Sequence, residues 1–445
     1  MAPADSLRPP GAGSLDAGWL ASRRWFRSKT RTISSVSVHD TAPLGDGCWL
    51  VILAVAFEGG AGDRYLTLGV EADGELREPR DGDGAWRSLM RLMREGGDLP
   101  GERGSFHATA SQALARLLGD EGGAAEELPE ATFPGEQSNT AVRLGDRLIL
   151  KLYRRLDPGL NPEVEVNAFL TAAGFDHAPR AAGSLLYRGA DGTESSAAML
   201  QELVSARGDG WSWLASRLGT PPDGPVEALA GASLIGGITS GMHRALASRP
   251  EDAAFPSREA APAELAAWQA GAERQLEAAL DALDGEDHER LASREKSVRS
   301  RLAAIGRASE ARVSRIHGDY HLGQLLRTEA GFMVIDFEGE PARSLEERRA
   351  PASPLRDVAG MLRSFDYAAQ TARRDGPPGL NLDAWLPDAR RAFLTAYHDD
   401  ALDTELLAAL ELEKACYEVA YEANNRPSWT WLPLEAIERL VGEGG

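Results

Sequence analysis

His317-Gly318-Asp319, followed by Gln324 and then by Asp336 with Glu338, brings carboxylates and a neutral oxygen donor into one short stretch of chain. Phosphoryl transfer needs such a set: a carboxylate that takes or orients the acceptor's hydroxyl proton, and oxygen ligands that hold Mg2+ against nucleotide phosphates. Asp319 fits the first role, as catalytic base and acceptor contact. Gln324 and Asp336 fit the second, Asp336 being carried out of the apolar strand Met333-Val334-Ile335. An Asp after a strand is by itself a common turn residue. Order, spacing and the intervening hairpin together match the catalytic and metal loops of the kinase template. His317 and His321 read as hydrogen-bonding residues of the loop, with His321 also placed at the acceptor.

Upstream, Lys151 lies on the second strand of a hairpin over 142–153 that turns at Gly145-Asp146, on the same face as Ile149. The following helix opens at Asn161-Pro162. On a helical wheel Glu165 falls among Val164, Ala168 and Phe169, with Glu163 and Asn167 on the polar side. A buried lysine and a buried carboxylate are each costly alone, so Lys151 and Glu165 are expected to pair, with Lys151 reaching nucleotide phosphates. Ahead of the hairpin, Gly135-Glu136-Gln137-Ser138-Asn139-Thr140 is expected to turn its backbone N–H groups and hydroxyls toward phosphate oxygens. Backbone groups of Glu202 and Val204, after the apolar run 197–200, are expected to meet the edge of adenine.

Near the C-terminus, Glu422-Ala423-Asn424-Asn425-Arg426-Pro427-Ser428-Trp429 combines an acid, amides, an arginine and an aromatic ring, a mixture suited to sugars. Glu418 shares a helix face with Glu422. A sugar ammonium would want such a carboxylate, so Glu418, Glu422, Arg426 and Trp429 are assigned to an acceptor.

The elements that must position these groups read as α+β. Residues 1–104 alternate short β runs with Gly/Asp turns around a helix near 86–95, forming a cap in which Arg23, Arg24, Trp25, Phe26 and Lys29 pack a helix. A linker-like stretch over 121–136 precedes the β-rich part of a nucleotide-binding subdomain, 105–204. Residues 205–445 are mostly helical, interrupted by strand, loop, strand, turn and strand over 313–337. The 445 residues, of which 43% are hydrophobic, suffice for two or three domains. A net charge of −20 argues against nucleic acid or an anionic membrane as partner. Two distant cysteines support neither a disulfide framework nor a zinc site. The first 18 residues lack a basic segment followed by an apolar run, and no stretch is as long and apolar as a membrane span, so a cytoplasmic protein is expected.

Taken with Trp25-Phe26, Asn161-Pro162, Gly208-Asp209-Gly210-Trp211, Asp336-Phe337-Glu338-Gly339-Glu340-Pro341 and the run from Ser353 to Tyr367, these positions carry a resemblance. The chain resembles the actinobacterial maltokinase-like family, whose core is similar to aminoglycoside phosphotransferases. The resemblance implies a bilobal, protein-kinase-like fold with an N-terminal β-rich cap, a β-rich intermediate subdomain and a helical C-lobe. It also implies ATP and Mg2+ as cofactors, with Asp319 as base and Gln324 and Asp336 as metal ligands. The Glu422 to Trp429 element looks like that of the glucosamine kinase branch. That implies phosphorylation of D-glucosamine at its 6-hydroxyl; maltose phosphorylation at the anomeric hydroxyl is the alternative, and an aminoglycoside is a third acceptor class.

Overall fold

The computed structural model describes residues 11–119, 128–133, 138–220, 222–308, 310–341, 343–375, 382–397 and 402–442. Gln137, with Gly135 and Glu136 beside it, lies outside them. Two compact units emerge: Met1–Thr171 with Pro179–Val204, and Ala172–Ala178 with Ser205–Gly445.

The first unit runs α1 (Ala17–Ala21), β1 (Ile33–Gly45), β2 (Cys48–Phe57), β3 (Gly60–Ala72), β4 (Glu75–Arg77), α2 (Ala85–Glu95), β5 (Gly97–Pro100), β6 (Gly104–Ala110), α3 (Gln112–Leu118), β7 (Glu130–Thr132), β8 (Thr140–Leu144), β9 (Leu148–Leu152), α4 (Pro162–Ala173), β10 (Ala181–Gly189) and β11 (Glu194–Glu202). Strands β1 to β4 form one antiparallel sheet in sequence order. The other sheet has seven strands in the order β5-β6-β10-β11-β9-β8-β7. The boundary expected after residue 104 falls inside β6, which pairs with β5. One core joins the two sheets: Leu50, Ile52, Leu66 and Leu68 pack with Trp86, Leu89 and Met93 of α2 and with Leu150, Leu152, Leu185 and Leu200. Asp40, fully buried on β1, fastens the same junction by accepting from the backbone N–H of Glu102 (2.7 Å) and Arg103 (3.0 Å) and from Tyr187 Oη (2.7 Å). Burying that carboxylate is tolerable because its oxygens are bonded.

Helix α2 has no side-chain cap of its own. Glu130 on β7 takes the N–H groups of Gly84 (3.0 Å) and Arg87 (2.8 Å), placing an anion at the helix's positive end. Trp25 and Phe26 pack with Tyr65, and Trp25 covers the buried Arg154 guanidinium at 4.5 Å.

The second unit continues α5 (Gly210–Leu218), α6 (Asp223–Leu246), β12 (Arg258–Glu259), α7 (Pro262–Ala282), α8 (Gly285–Ala292), α9 (Glu295–Leu302), α10 (Ala304–Arg307), β13 (Arg312–Val313), β14 (Leu325–Arg327), β15 (Phe332–Val334), α11 (Leu345–Arg349), α12 (Leu355–Asp375), α13 (Leu382–Tyr397), α14 (Thr404–Asn425) and α15 (Trp431–Gly442). Among the described residues no helix is long and apolar enough to cross a membrane.

Candidate functional site

In the second unit β14 and β15 form a hairpin closed at Thr328, whose N–H meets Gly331 O at 2.9 Å. Ile335 N–H extends the ladder to Gln324 O (3.0 Å), so Gln324 stands opposite the end of β15. The next residue, Asp336, has φ +65°, a left-handed conformation that Asp tolerates better than most residues. This bend lets Gln324 Nε2 donate to Asp336 Oδ2 at 3.1 Å. The two residues assigned to the metal are therefore in contact. The Gly208-Asp209-Gly210 segment packs on this hairpin: Arg327 N–H donates to Gly208 O (2.9 Å), the neighbouring Arg207 N–H donates to Arg327 O (2.8 Å), and a Cβ at Gly210 would meet Leu322 O at 2.7 Å.

The loop carrying Asp319 is fixed from below by Asp357, in the first turn of α12. Its two oxygens accept from the N–H of His317 (2.8 Å) and Gly318 (2.9 Å), and His243 Nε2 donates at 3.0 Å. Burial works to raise the Asp357 pKa, but His243 and the backbone donors hold it below the ordinary carboxylate value. His317 is buried and its Nε2 bonds Ile335 O at 2.9 Å, which links the base loop to the metal loop. Gly318 (φ +84°) and Gly339 (φ +72°) touch: a Cβ on Gly318 would lie 3.4 Å from Gly339 Cα.

His321 Nδ1 accepts from Gly323 N–H at 3.0 Å, which leaves Nε2 as the protonated nitrogen of a neutral ring, 4.0 Å from Asp319 Oδ2. Protein packed around the ring pushes its pKa down, outweighing the upward pull of Asp319. Lys414 on α14 approaches Asp319 Oδ1 to 3.8 Å and Glu340 Oε1 to 3.9 Å. Asp319 lines an open pocket with Tyr320, Glu340, Arg343, Lys414 and Tyr417. Sequence reasoning missed Lys414 and Asp357. The first carries no local motif, and the second sits in the Ser353 to Tyr367 run, where an acid in a first helical turn is unremarkable.

In the first unit Lys151 Nζ meets Glu163 Oε2 at 2.8 Å, and Tyr153 Oη donates to the same oxygen at 2.9 Å. This corrects the expected Lys151–Glu165 pair. Helix α4 buries Pro162, Glu163, Val166, Asn167, Phe169 and Leu170, while Ala168 is exposed and Val164 and Glu165 are half-buried. The wheel assigned the apolar stripe to the core, but two polar residues on the other face have partners: Lys151 for Glu163, and Gln201 Oε1, 3.0 Å away, for Asn167.

Of the expected phosphate turn, Ser138, Asn139 and Thr140 are described. Asn139 is buried, and the Thr140 hydroxyl oxygen accepts from Arg154 Nε at 2.7 Å, which ties it into the fold. Glu202 likewise gives its backbone N–H to Arg180 O (2.9 Å), so its amide is already engaged; Val204 ends the unit.

Glu418 and Glu422 are occupied by arginines. Arg363 donates to Glu418 Oε2 from Nε (2.9 Å) and Nη2 (2.7 Å). Arg426 bonds both oxygens of Glu422 (2.9 and 2.5 Å), with Tyr367 Oη at 3.2 Å. At 1% exposure Glu422 does not face an acceptor, which corrects the expectation of an open carboxylate. The helical wheel marked the shared face correctly but could not say that α12 would bring Arg363 and Tyr367 against it. Arg426 is exposed, lies over the rings of Tyr421 (5.9 Å) and Trp429 (5.0 Å), and presents the outer surface of this element.

Residues 130–339 match the phosphotransferase enzyme family. The chain is 28% identical over 389 residues to a glucosamine kinase of Streptacidiphilus jiangxiensis, covering 83% of this chain and 84% of that one. It is 27% identical over 405 residues to a glucosamine kinase of Mycolicibacterium smegmatis, covering 86% and 97%. In fold it is similar to a solved glucosamine kinase in complex with glucosamine, ADP and inorganic phosphate, with TM-score 0.78, 23% identity, and 99% and 100% of the two chains covered.

Proposed function

We propose that this chain, whose residues 130–339 match the phosphotransferase enzyme family, is an ATP-dependent sugar kinase transferring the γ-phosphoryl group to the 6-hydroxyl of D-glucosamine. The observation that carries the reading is the Asp319 carboxylate at the wall of a pocket, on a loop tied through His317 to the strand end where Gln324 and Asp336 meet. Two glucosamine kinases resembling this chain over more than four-fifths of its length support the acceptor.

The Asp336 carboxylate is a hard oxygen donor of the kind Mg2+ takes, and Gln324 fits beside it with its amide turned to present Oε1 in place of the Nε2 that meets Asp336. When bound, Mg2+ would neutralise phosphate charge. Asp319 accepts the proton of the sugar hydroxyl as its oxygen bonds to the γ-phosphorus and the bond to the β-bridging oxygen breaks, releasing ADP. Lys151, aligned by Glu163 and Tyr153, contributes a cation for the nucleotide phosphates. Ser138, Asn139 and Gln137 belong to the same nucleotide reading, with Val204 for the adenine edge. Arg426 and Trp429 offer a donor and a flat face to the sugar, Glu422 acts through Arg426, and Glu418 acts through Arg363.

ADP release is measured in parallel with glucosamine, glucose, N-acetylglucosamine, maltose and an aminoglycoside, with the product's phosphorylated position read by NMR. Turnover greatest with glucosamine and a phosphate on O6 is expected. Greater turnover with maltose or the aminoglycoside overturns the acceptor, and no turnover with any of them overturns the kinase.

A further inference from the structure

The pocket wall opposite Asp319 is built by α14, which contributes Leu410, Glu413, Lys414 and Tyr417. Most of its charges are matched by close partners. Arg356 Nη1 bonds both oxygens of Glu413 (3.0 and 2.9 Å), and Arg343 Nε bonds Glu340 Oε2 (2.6 Å). Lys414 differs. Its ammonium lies between Asp319 Oδ1 and Glu340 Oε1 at 3.8 and 3.9 Å, over the Tyr417 ring at 4.5 Å, and makes no direct hydrogen bond to a described residue. Its N–H donors therefore remain for a solute beside the base.

Resting on the sugar-kinase reading above, we propose that Lys414 is a specificity-determining residue that selects, on an amino sugar, the hydroxyl remote from the amine. The reacting hydroxyl must hydrogen-bond Asp319, which places it beside the Lys414 ammonium. An acceptor amine one or two carbons from the carbon bearing that hydroxyl would bring a second ammonium against the first. The nearby carboxylates do not offset this, since Glu340 is held by Arg343 and Lys414, and Asp319 by Lys414 and the hydroxyl. Like charges brought together in a partly desolvated pocket repel more strongly than in water. In glucosamine the amine is on C2, flanked by O1 and O3, whereas O6 extends from C5 across the ring. Because C4 is only two carbons from C2, Lys414 disfavours transfer to O1, O3 and O4 and leaves O6.

The test uses the full chain and three sugars: glucose, glucosamine, and its isomer 4-amino-4-deoxyglucose, whose amine sits next to the carbon bearing C6. For the wild type, kcat/KM for the 4-amino isomer should lie at least about tenfold below that for glucose. Lys414→Met should raise the ratio of the two toward one, and Lys414→Arg should restore the discrimination. Lys414→Gln replaces the methionine variant if that fails to fold. NMR of the glucosamine product should show O6 phosphate alone for the wild type and added O1, O3 or O4 phosphate for the uncharged variant. An unchanged ratio in the uncharged variant, or wild-type use of the 4-amino isomer equal to that of glucose, overturns the role of Lys414. Absence of glucosamine turnover alongside the expected glucose ratios overturns only the substrate reading. Phosphorylation of none of the three overturns both.

Discussion

Lys151 Nζ and Glu163 Oε2 are 2.8 Å apart, with the lysine side chain 14% and the glutamate side chain 3% exposed. Removing the charge from a partner this enclosed loses a charge-assisted hydrogen bond, worth about 1.5–3 kcal/mol. Glu163→Gln should therefore lower kcat/KM for ATP by roughly ten- to a hundredfold. Glu165→Gln should change it little. Steady-state kinetics with varied ATP separates the two, and equal effects would show that the pair seen here does not align the lysine.

Asp319→Asn keeps the shape of the side chain and removes the proton acceptor. Turnover should fall by about 10²–10⁴-fold while nucleotide affinity, measured by calorimetry, stays near that of the wild type. Retained turnover would remove Asp319 from its assigned role.

Asp336 is expected to respond differently to two replacements. Asn tolerates the left-handed conformation at φ +65° and can still meet Gln324, so Asp336→Asn should fold normally and need far more Mg2+ for any residual activity. Asp336→Ala should in addition melt at a lower temperature, since Ala is strained there. A Mg2+ titration of activity beside a thermal melt reads both effects.

How much of this was legible in the sequence depended on whether chemistry was local. The 142–153 hairpin, the 313–337 interruption and the Gln324 and Asp336 pair follow from short-range pattern, and the structure builds them. Glu163 was misassigned because a helical wheel ranks faces by apolarity, whereas α4 is packed on a face whose polar residues find partners on neighbouring strands. Lys414 meets Asp319 across nearly a hundred residues of chain, and Arg363 meets Glu418 from another helix. Such pairings arise only once helices are packed, and no spacing rule announces them.

Asp357 carries a pH signature. Its pKa in the fold lies below its ordinary value of about 3.9, so its contribution to stability is fully present above that pH and is lost as pH falls through the lower, folded value. Asp357→Asn should reduce stability at pH 7 by about 1.5–3 kcal/mol and lose less on acidification than the wild type does. Denaturant melts between pH 7 and pH 3 supply the comparison; parallel curves would show that the carboxylate charge does not hold the loop.

Glu422→Gln should loosen Arg426, whose guanidinium it grips through two oxygens. The expected result is a KM for glucosamine raised by roughly tenfold with KM for ATP unchanged. A change confined to ATP would detach this element from the acceptor.

Gly318 and Gly339 meet backbone to backbone, so the gap between the proton acceptor's loop and the cation's loop is set by the thickness of two bare peptide chains. A Cβ at Gly318 would sit 3.4 Å from Gly339 Cα and one at Gly339 would press on the Arg348 side chain at the same distance, and either would force a positive φ on a residue that resists it. The ruler of the reaction is thus written in main chain, where side-chain drift cannot lengthen it. The pocket wall on α14 is built of side chains instead, Glu413, Lys414 and Tyr417, which substitution can change without touching that main-chain contact.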